Sequence, residues 1–262
     1  MDTTSLFRLD GRVALVTGGS RGIGRMIAAG FLAQGATVYI SSRKADACIA
    51  AAKELGGKCV ALPQDVSTVA GCKALAAQLA EHENKLDVLV NNAGAAWGEP
   101  FEDFPEKGWD KVMDLNVKSP FFLTQALHTA LKAAARADRP AKVINISSID
   151  GIRLNPWETY SYQASKAALI QLTKRMAARL AGDGIHVTSI APGAFASEMN
   201  RAARDHGDEV ARRIPAGRIG IAEDMAGAAI YLAARAGDYV VGTTITVDGG
   251  LVNAALGTSI DA

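Results

Sequence analysis

The chain has 262 residues, 49% of them hydrophobic, and 28 basic against 27 acidic side chains leave a formal charge of +1. That is ample for a large core and lacks the basic footprint of a nucleic-acid binder. No apolar run approaches the roughly 18 residues a membrane span needs, and the start, Met1 to Arg8, lacks the basic segment and apolar core of a secretory signal.

In chain order, short Val/Ile/Leu-rich runs alternate with longer helical stretches. Strands are expected at 12–17, 37–41, 59–62, 86–91, 142–147, 185–190 and 244–247. Helices are expected at 22–34, 44–55 and 69–81, along a long segment near 107–136, and at 162–180 and 223–234. The alternation predicts an α/β fold: a single-domain, Rossmann-like doubly wound sheet of about seven parallel strands with helices on both faces. No linker or repeat divides the chain, so residues 1–262 read as one domain. Ligands then belong in the crevice at the carboxyl ends of the strands.

After the first strand comes Thr17-Gly18-Gly19-Ser20-Arg21-Gly22-Ile23-Gly24, opening the first helix. Gly18 permits a tight turn, and Gly22 and Gly24 let backbone amides approach a pyrophosphate. The helix N-terminus adds unpaired N–H groups and partial positive charge. A glycine turn without a ligand is the plainer reading, but strand before and helix after favour dinucleotide binding. At the end of the second strand an NAD binder usually places an acid. Here Ser42 occupies that place, followed by Arg43 and Lys44. A 2′-phosphate would meet Ser42, Arg43 and Arg21, and guanidinium suits phosphate. NADP(H) is therefore the expected cofactor, unless Arg43 and Lys44 are only solvated charges.

Cys48, Cys59 and Cys72 show no Cys-x-x-Cys spacing and suggest free thiols in a reducing compartment. The four histidines are scattered, so no metal site is expected. A cytoplasmic protein follows.

The richest stretch is Tyr160-Ser161-Tyr162-Gln163-Ala164-Ser165-Lys166. Residues four apart share a helix face, so Lys166 can stand beside Tyr162. A phenol normally keeps its proton until about pH 10, and a neighbouring cation lowers that value. So tuned, Tyr162 could protonate a carbonyl oxygen as hydride reaches its carbon. Tyr160 has only Ala164 four residues on.

From the cradle 18–24 through Asp65-Val66, Asn91-Asn92-Ala93-Gly94, Asn116-Val117, Ser147-Ser148, Tyr162-x-x-x-Lys166, Pro192-Gly193 and Val247-Asp248-Gly249-Gly250, the chain resembles the short-chain dehydrogenase/reductase family over nearly its whole length. Within the family it most resembles bacterial 3-oxoacyl reductases of the rhamnolipid-pathway type. The resemblance implies Tyr162 as general acid for reduction and Lys166 as its pKa-lowering partner and ribose ligand. It implies Ser148 as the donor to the substrate oxygen, and Asn116 as the holder of a water that relays protons. Asp65 and Val66 would touch adenine, and Asn92, Ala93 and Gly94 would line the cofactor. Pro192 and Gly193 would shape the nicotinamide pocket, with Ser197 where the family more often has Thr. A homotetramer through the two long helical segments is also implied.

Plainer readings stand beside these. Ser148 could cap a strand end while Ser147 faces substrate, Asn116 could kink its helix, and Asp65 could be an N-cap. Trp97, Trp109 and Trp157 are more often core or pocket wall, with Trp157 lying between Ser148 and Tyr162. Specificity is expected in 150–159, an apolar loop suited to a hydrophobic ketone or acyl chain, and in 194–215. The second segment carries Arg201, Arg204, Arg212 and Arg213 among acids and reads as a solvated flap. Asp183 stands where relatives that dock acyl carrier protein often have a basic residue. Like charge opposes an acidic carrier, which leaves a free ketone or coenzyme A thioester at least as well placed. The leading expectation is an NADPH-dependent carbonyl reductase. The rivals are a secondary-alcohol or hydroxysteroid dehydrogenase and a non-catalytic dinucleotide sensor.

Overall fold

Val13-Ala14-Leu15-Val16 is apolar at every position, and burial on both faces is what such a run requires. In the computed structural model, which describes residues 3–198 and 200–255, all five residues of β1 (Val13–Thr17) are buried. Val13 and Leu15 face one core, and Ala14 and Val16 the other, as the two-residue period of a strand dictates. The remaining strands are β2 (Thr37–Ser41), β3 (Cys59–Ala61), β4 (Val88–Asn91), β5 (Ala141–Ile146), β6 (Ile185–Pro192) and β7 (Thr244–Val247). They form one sheet in the order β3-β2-β1-β4-β5-β6-β7, and every pairing is parallel. The expected doubly wound sheet is the observed one.

Helices α1 (Gly22–Ala33), α2 (Ala45–Leu55) and α3 (Val69–Ala80) follow the first three strands, and all three match expectation to within a residue. The long segment near 107–136 does not form one helix. It divides into α4 (Glu106–Met113), a π-helical turn (Asp114–Lys118), α5 (Ser119–Ala126) and α6 (His128–Ala134). Pro120 lacks the N–H an uninterrupted helix needs at that point, and the widened turn directly precedes it. Helix α7 runs Tyr160–Leu180, two residues earlier than expected; short α8 (Arg201–Asp205) and α9 (Gly207–Ala211) precede α10 (Ala222–Ala233).

Ile27, Phe31, Cys48, Met225, Ala229 and Leu232 from α1, α2 and α10 pack on one face of the sheet. Leu75, Leu79, Leu123, Leu131 and Met176 from α3, α5, α6 and α7 pack on the other. Among the described residues no helix is long and apolar enough to cross a membrane.

The sequence reversal between β1 and β4 makes a switch point, and the loops leaving these two strands sit side by side. Thr17 Oγ1 accepts from the amides of Asn92 and Ala93, both at 3.0 Å, while Asn92 Nδ2 donates to the Thr17 carbonyl at 2.8 Å. The end of the 251–262 tail, from residue 256, lies outside the described residues, as does the side chain of Arg201.

Candidate active site

The cradle is built for close approach. Gly18 and Gly22 hold φ of 66° and 54°, left-handed values that favour glycine. A Cβ on Gly24 would collide with the Gly18 carbonyl and the Asn92 amide. No side chain caps α1 at Arg21, so its first amides are left for another partner. Ser20 is partly buried and Arg21 exposed. Ile23 packs against the α1-side core. Beyond β2, Ser42 is partly buried and Arg43 is exposed.

Further along the crevice, Val66 is buried. Asp65 Oδ1 accepts from the Ser67 amide at 3.0 Å, and the N-cap of α3 is Thr68 rather than Asp65. Pro192 is buried and Gly193 partly so at the end of β6. A Cβ added to Gly22 would lie 3.5 Å from Ser197 Cβ, which brings the start of the 194–215 segment against the cradle. Ser197 Oγ accepts from the Asn200 amide at 3.0 Å.

Ser147 and Ser148 point to different tasks. Ser147 Oγ donates to the Ile190 carbonyl and meets Ser189 Oγ, each at 2.9 Å, and is spent on the sheet. Ser148 Oγ accepts from the Asp150 amide at 3.1 Å and lies near enough to the phenol of Tyr162 to favour its ionised form. Lys166, on the same helix face as Tyr162, has its Nζ 5.6 Å from the centre of the Tyr162 ring and donates to the Ile146 carbonyl at 2.8 Å. Tyr160 is turned outward, its hydroxyl donating to Glu158 Oε1 at 2.7 Å.

Burial dominates the electrostatics here. It pushes Tyr162 up to about 12, with the Ser148 hydrogen bond pulling down and the charge of Asp150 pushing further up. Burial also brings Lys166 down to about 8, while Asp150 opposes that shift. Tyr162 thus keeps its proton, because the cost of desolvating a phenolate is the largest influence on it.

Asn116 lies in the π-helical turn and is 1% exposed. Its Oδ1 accepts from the Ala95 amide at 2.8 Å, and its Nδ2 donates to the Ala95 carbonyl and to Ser165 Oγ, both at 2.9 Å. With its side chain so engaged, Asn116 clamps the 94–95 stretch. A Cβ on Gly94 would stand 3.2 Å from Asn116 Oδ1 and 3.7 Å from Lys166 Nζ. Thus Asn92, Ala93 and Gly94 run without a gap from the cradle to the Tyr162–Lys166 pair.

Sequence reasoning passed over three contributors. Ser165 bridges Asn116 to the Tyr162 carbonyl, which it meets at 2.7 Å; its place three residues after Tyr162 was the available signal. Asp150 is a carboxyl close enough to influence both Tyr162 and Lys166, and its own pKa is raised by burial. Thr17 joins the two loops at the switch point.

At the mouth, Ile152, Leu154 and Trp157 are 46%, 87% and 60% exposed, an apolar rim on the 150–159 loop. Trp97 packs on Gly108, and Trp109 stacks edge-on with Phe104. Arg204 pairs with Glu198 and Asp205, and Arg213 with Glu209, so these charges of the largely exposed flap are locally matched. Asp183 is not a bare negative charge. His128, Lys132 and Arg179 all contact it at 2.9–3.0 Å and hold its carboxyl well below the usual range, so the like-charge argument against an acidic carrier loses its basis. Among the described residues no group of His, Cys, Asp and Glu is placed to hold a metal ion, and the three cysteines are unpaired.

A parallel switch-point sheet, a glycine cradle on an uncapped helix and a Ser–Tyr–Lys centre together define an α/β oxidoreductase. The family model described as enoyl-(acyl carrier protein) reductase matches residues 18–252. The chain belongs to the short-chain dehydrogenase/reductase family. It is 48% identical over 249 residues to the rhamnolipids biosynthesis 3-oxoacyl-[acyl-carrier-protein] reductase of Pseudomonas aeruginosa, covering 93% of this chain and 97% of that one. It is 38% identical to the 2-dehydro-3-deoxy-D-gluconate 5-dehydrogenase of Dickeya dadantii, over 93% and 96% of the two chains. The solved Pseudomonas aeruginosa RhlG/NADP active-site complex superposes with a TM-score of 0.92 at 47% identity, covering 95% of this chain and 99% of that chain.

Proposed function

We propose that this chain, as a single catalytic domain of residues 1–262, uses NADPH to reduce the carbonyl of an apolar ketone or 3-oxoacyl substrate, with Tyr162 as general acid. The observation that carries this reading is the meeting of Ser148, Tyr162 and Lys166 at the end of the stretch that begins in the glycine cradle. The residues fit the coenzyme. Uncapped α1 amides with Gly18, Gly22 and Gly24 suit a pyrophosphate, and Ser42 with exposed Arg43 and Arg21 suits a 2′-phosphate. Asp65 and Val66 would hold the adenine, and Pro192, Gly193 and Ser197 would hold the nicotinamide. The bound NADP of the Pseudomonas aeruginosa complex supports the same choice.

When bound, NADPH supplies the hydride. The protein's own part is to hold the carbonyl and deliver a proton. Ser148 donates to the carbonyl oxygen as negative charge develops there. Tyr162, whose phenol stays protonated at neutral pH, gives its proton to the same oxygen. Lys166, while charged, steadies the phenolate left behind. Asn116 and Ser165 hold the 94–95 stretch and α7 in register. The apolar rim of Ile152, Leu154 and Trp157 favours a hydrophobic ketone or acyl group over the sugar acid named for the Dickeya relative.

The same reading makes the protein a cytoplasmic homotetramer packed through α4–α6 and α7, in keeping with its unpaired cysteines and with Trp109 and Phe121 exposed on those helices. The test is a panel of ketones, 3-oxoacyl thioesters and sugar acids followed by NADPH absorbance. Consumption with apolar carbonyls supports the proposal. Activity confined to NAD-linked oxidation of secondary or sugar alcohols replaces it with the dehydrogenase reading, and coenzyme binding without turnover of any kind points to a sensor.

A further inference from the structure

Two segments border the substrate side of the cleft, the loop 149–159 after β5 and the segment 194–215 after β6. Both ends of this border are fastened to a third element, the turn 248–254 that follows β7. Arg153 Nη1 donates to the Leu251 carbonyl at 2.9 Å, although 98 positions separate them in the chain. The Ala216 amide, just past the second segment, donates to the Gly249 carbonyl at 3.0 Å, while the Gly193 amide, just before it, extends the β6–β7 ladder to the Val247 carbonyl at 2.9 Å. Asp248 builds the turn itself: its Oδ1 accepts from the Gly250 amide at 2.9 Å and its Oδ2 from the Val252 amide at 2.8 Å.

The sheet order gives this bond its meaning. Strand β6 lies between β5 and β7, so the Arg153–Leu251 bond spans the carboxyl end of β6, where Pro192 and Gly193 stand. The loop that Arg153 anchors is the one carrying Ile152, Leu154 and Trp157, which are exposed and contribute little packing of their own. A loop with so little buried area opens at small cost. The guanidinium is partly buried, and its Nε is enclosed without a partner. Such a group is costly to bury; its charge pulls the Asp150 carboxyl down but acts directly on neither Tyr162 nor Lys166.

We propose that Arg153 is a positioning residue that latches the substrate loop to the C-terminal turn, so that the turn 248–254 sets the shape of the substrate side of the cleft. What the cleft holds rests on the carbonyl-reductase reading; the latch itself does not. Because the acceptor is a main-chain carbonyl, the path of the turn matters and the side chain at 251 does not.

Arg153→Met keeps the alkyl stem and removes the donors. The expected result is a KM for the ketone raised about fivefold or more, with kcat and the KM for NADPH changed by less than about twofold. Deuterium uptake, measured without any substrate, rises together in 152–157 and 249–254. Asp248→Ala dismantles the turn from the other side and gives the same KM shift, and the double variant adds little to either single one, as coupled neighbours do. Unchanged uptake in both segments, or a ketone KM that stays at the parent value, overturns the latch. If the parent protein reduces no ketone, the reductase reading fails, and the exchange measurement alone then decides for or against the latch.

Discussion

Lys166 and Tyr162 stand one helical turn apart with the amine 5.6 Å from the ring centre, yet the amine's hydrogen bond goes to the Ile146 carbonyl. The pair is held ready rather than already coupled. Burial keeps the proton on the phenol and makes the ammonium easy to discharge, down to about 8. The consequence is a pH dependence with a definite sign. Below about 7 the amine is charged and can steady a phenolate, so kcat/KM for reduction is level there. It falls as pH rises through about 8, approaching tenfold per unit, and a rate profile from pH 6 to 10 measures it.

Stability moves the other way over part of that range. The folded pKa of Lys166 lies below its ordinary 10.5, so between about 8 and 10 the unfolded chain binds more protons and this group's contribution to unfolding free energy rises with pH. Above about 10 the raised Tyr162 opposes it, because the unfolded phenol ionises first. Thermal midpoints of the parent and Lys166→Met check this: the parent gains on the variant from pH 8 to 10, and no convergence there contradicts the assigned shift.

Arg43 is exposed at the end of β2 beside Ser42, with no acid in the ribose-binding place. Arg43→Glu puts a negative charge where a 2′-phosphate belongs. The KM for NADPH rises about tenfold or more while that for NADH falls or holds. Steady-state kinetics with both coenzymes measure the ratio, and an unmoved ratio removes Arg43 from the phosphate site.

Asn145, wholly buried on β5, accepts from Asn91 Nδ2 and donates to Thr173 Oγ1, both at 2.9 Å. This ties β4 and β5 to the middle of α7, below the Tyr162–Lys166 pair. Asn145→Ala removes both bonds, leaving Asn91 Nδ2 with Thr124 Oγ1 alone and Thr173 Oγ1 with the Leu169 carbonyl alone, and costs about 1–3 kcal/mol. Urea unfolding measures the loss, and a cost under about 0.5 kcal/mol shows the network to be dispensable.

The strands were legible because a parallel sheet covered on both faces writes itself as apolar runs, and 37–41 and 244–247 needed no correction. The cradle and the Tyr162–Lys166 spacing were legible because both are local, set within one turn or one helix face. What could not be read was set by partners far along the chain. The 114–118 turn places Asn116 to meet Ala95 and Ser165. The charge of Asp183 is answered from α6 and α7. Arg153 finds its acceptor beyond the last strand. The pKa of Tyr162 is illegible for a related reason: spacing shows which charge is near but not how much water burial removes.

Proton delivery by Tyr162 decides between reductase and sensor, and Tyr162→Phe keeps the ring while deleting the hydroxyl. Single-turnover reduction with NADPH and a reactive ketone is predicted to slow by about 10²–10⁴-fold, with NADPH affinity within about threefold of the parent. A variant that binds NADPH normally and reduces the ketone at the parent rate contradicts the account.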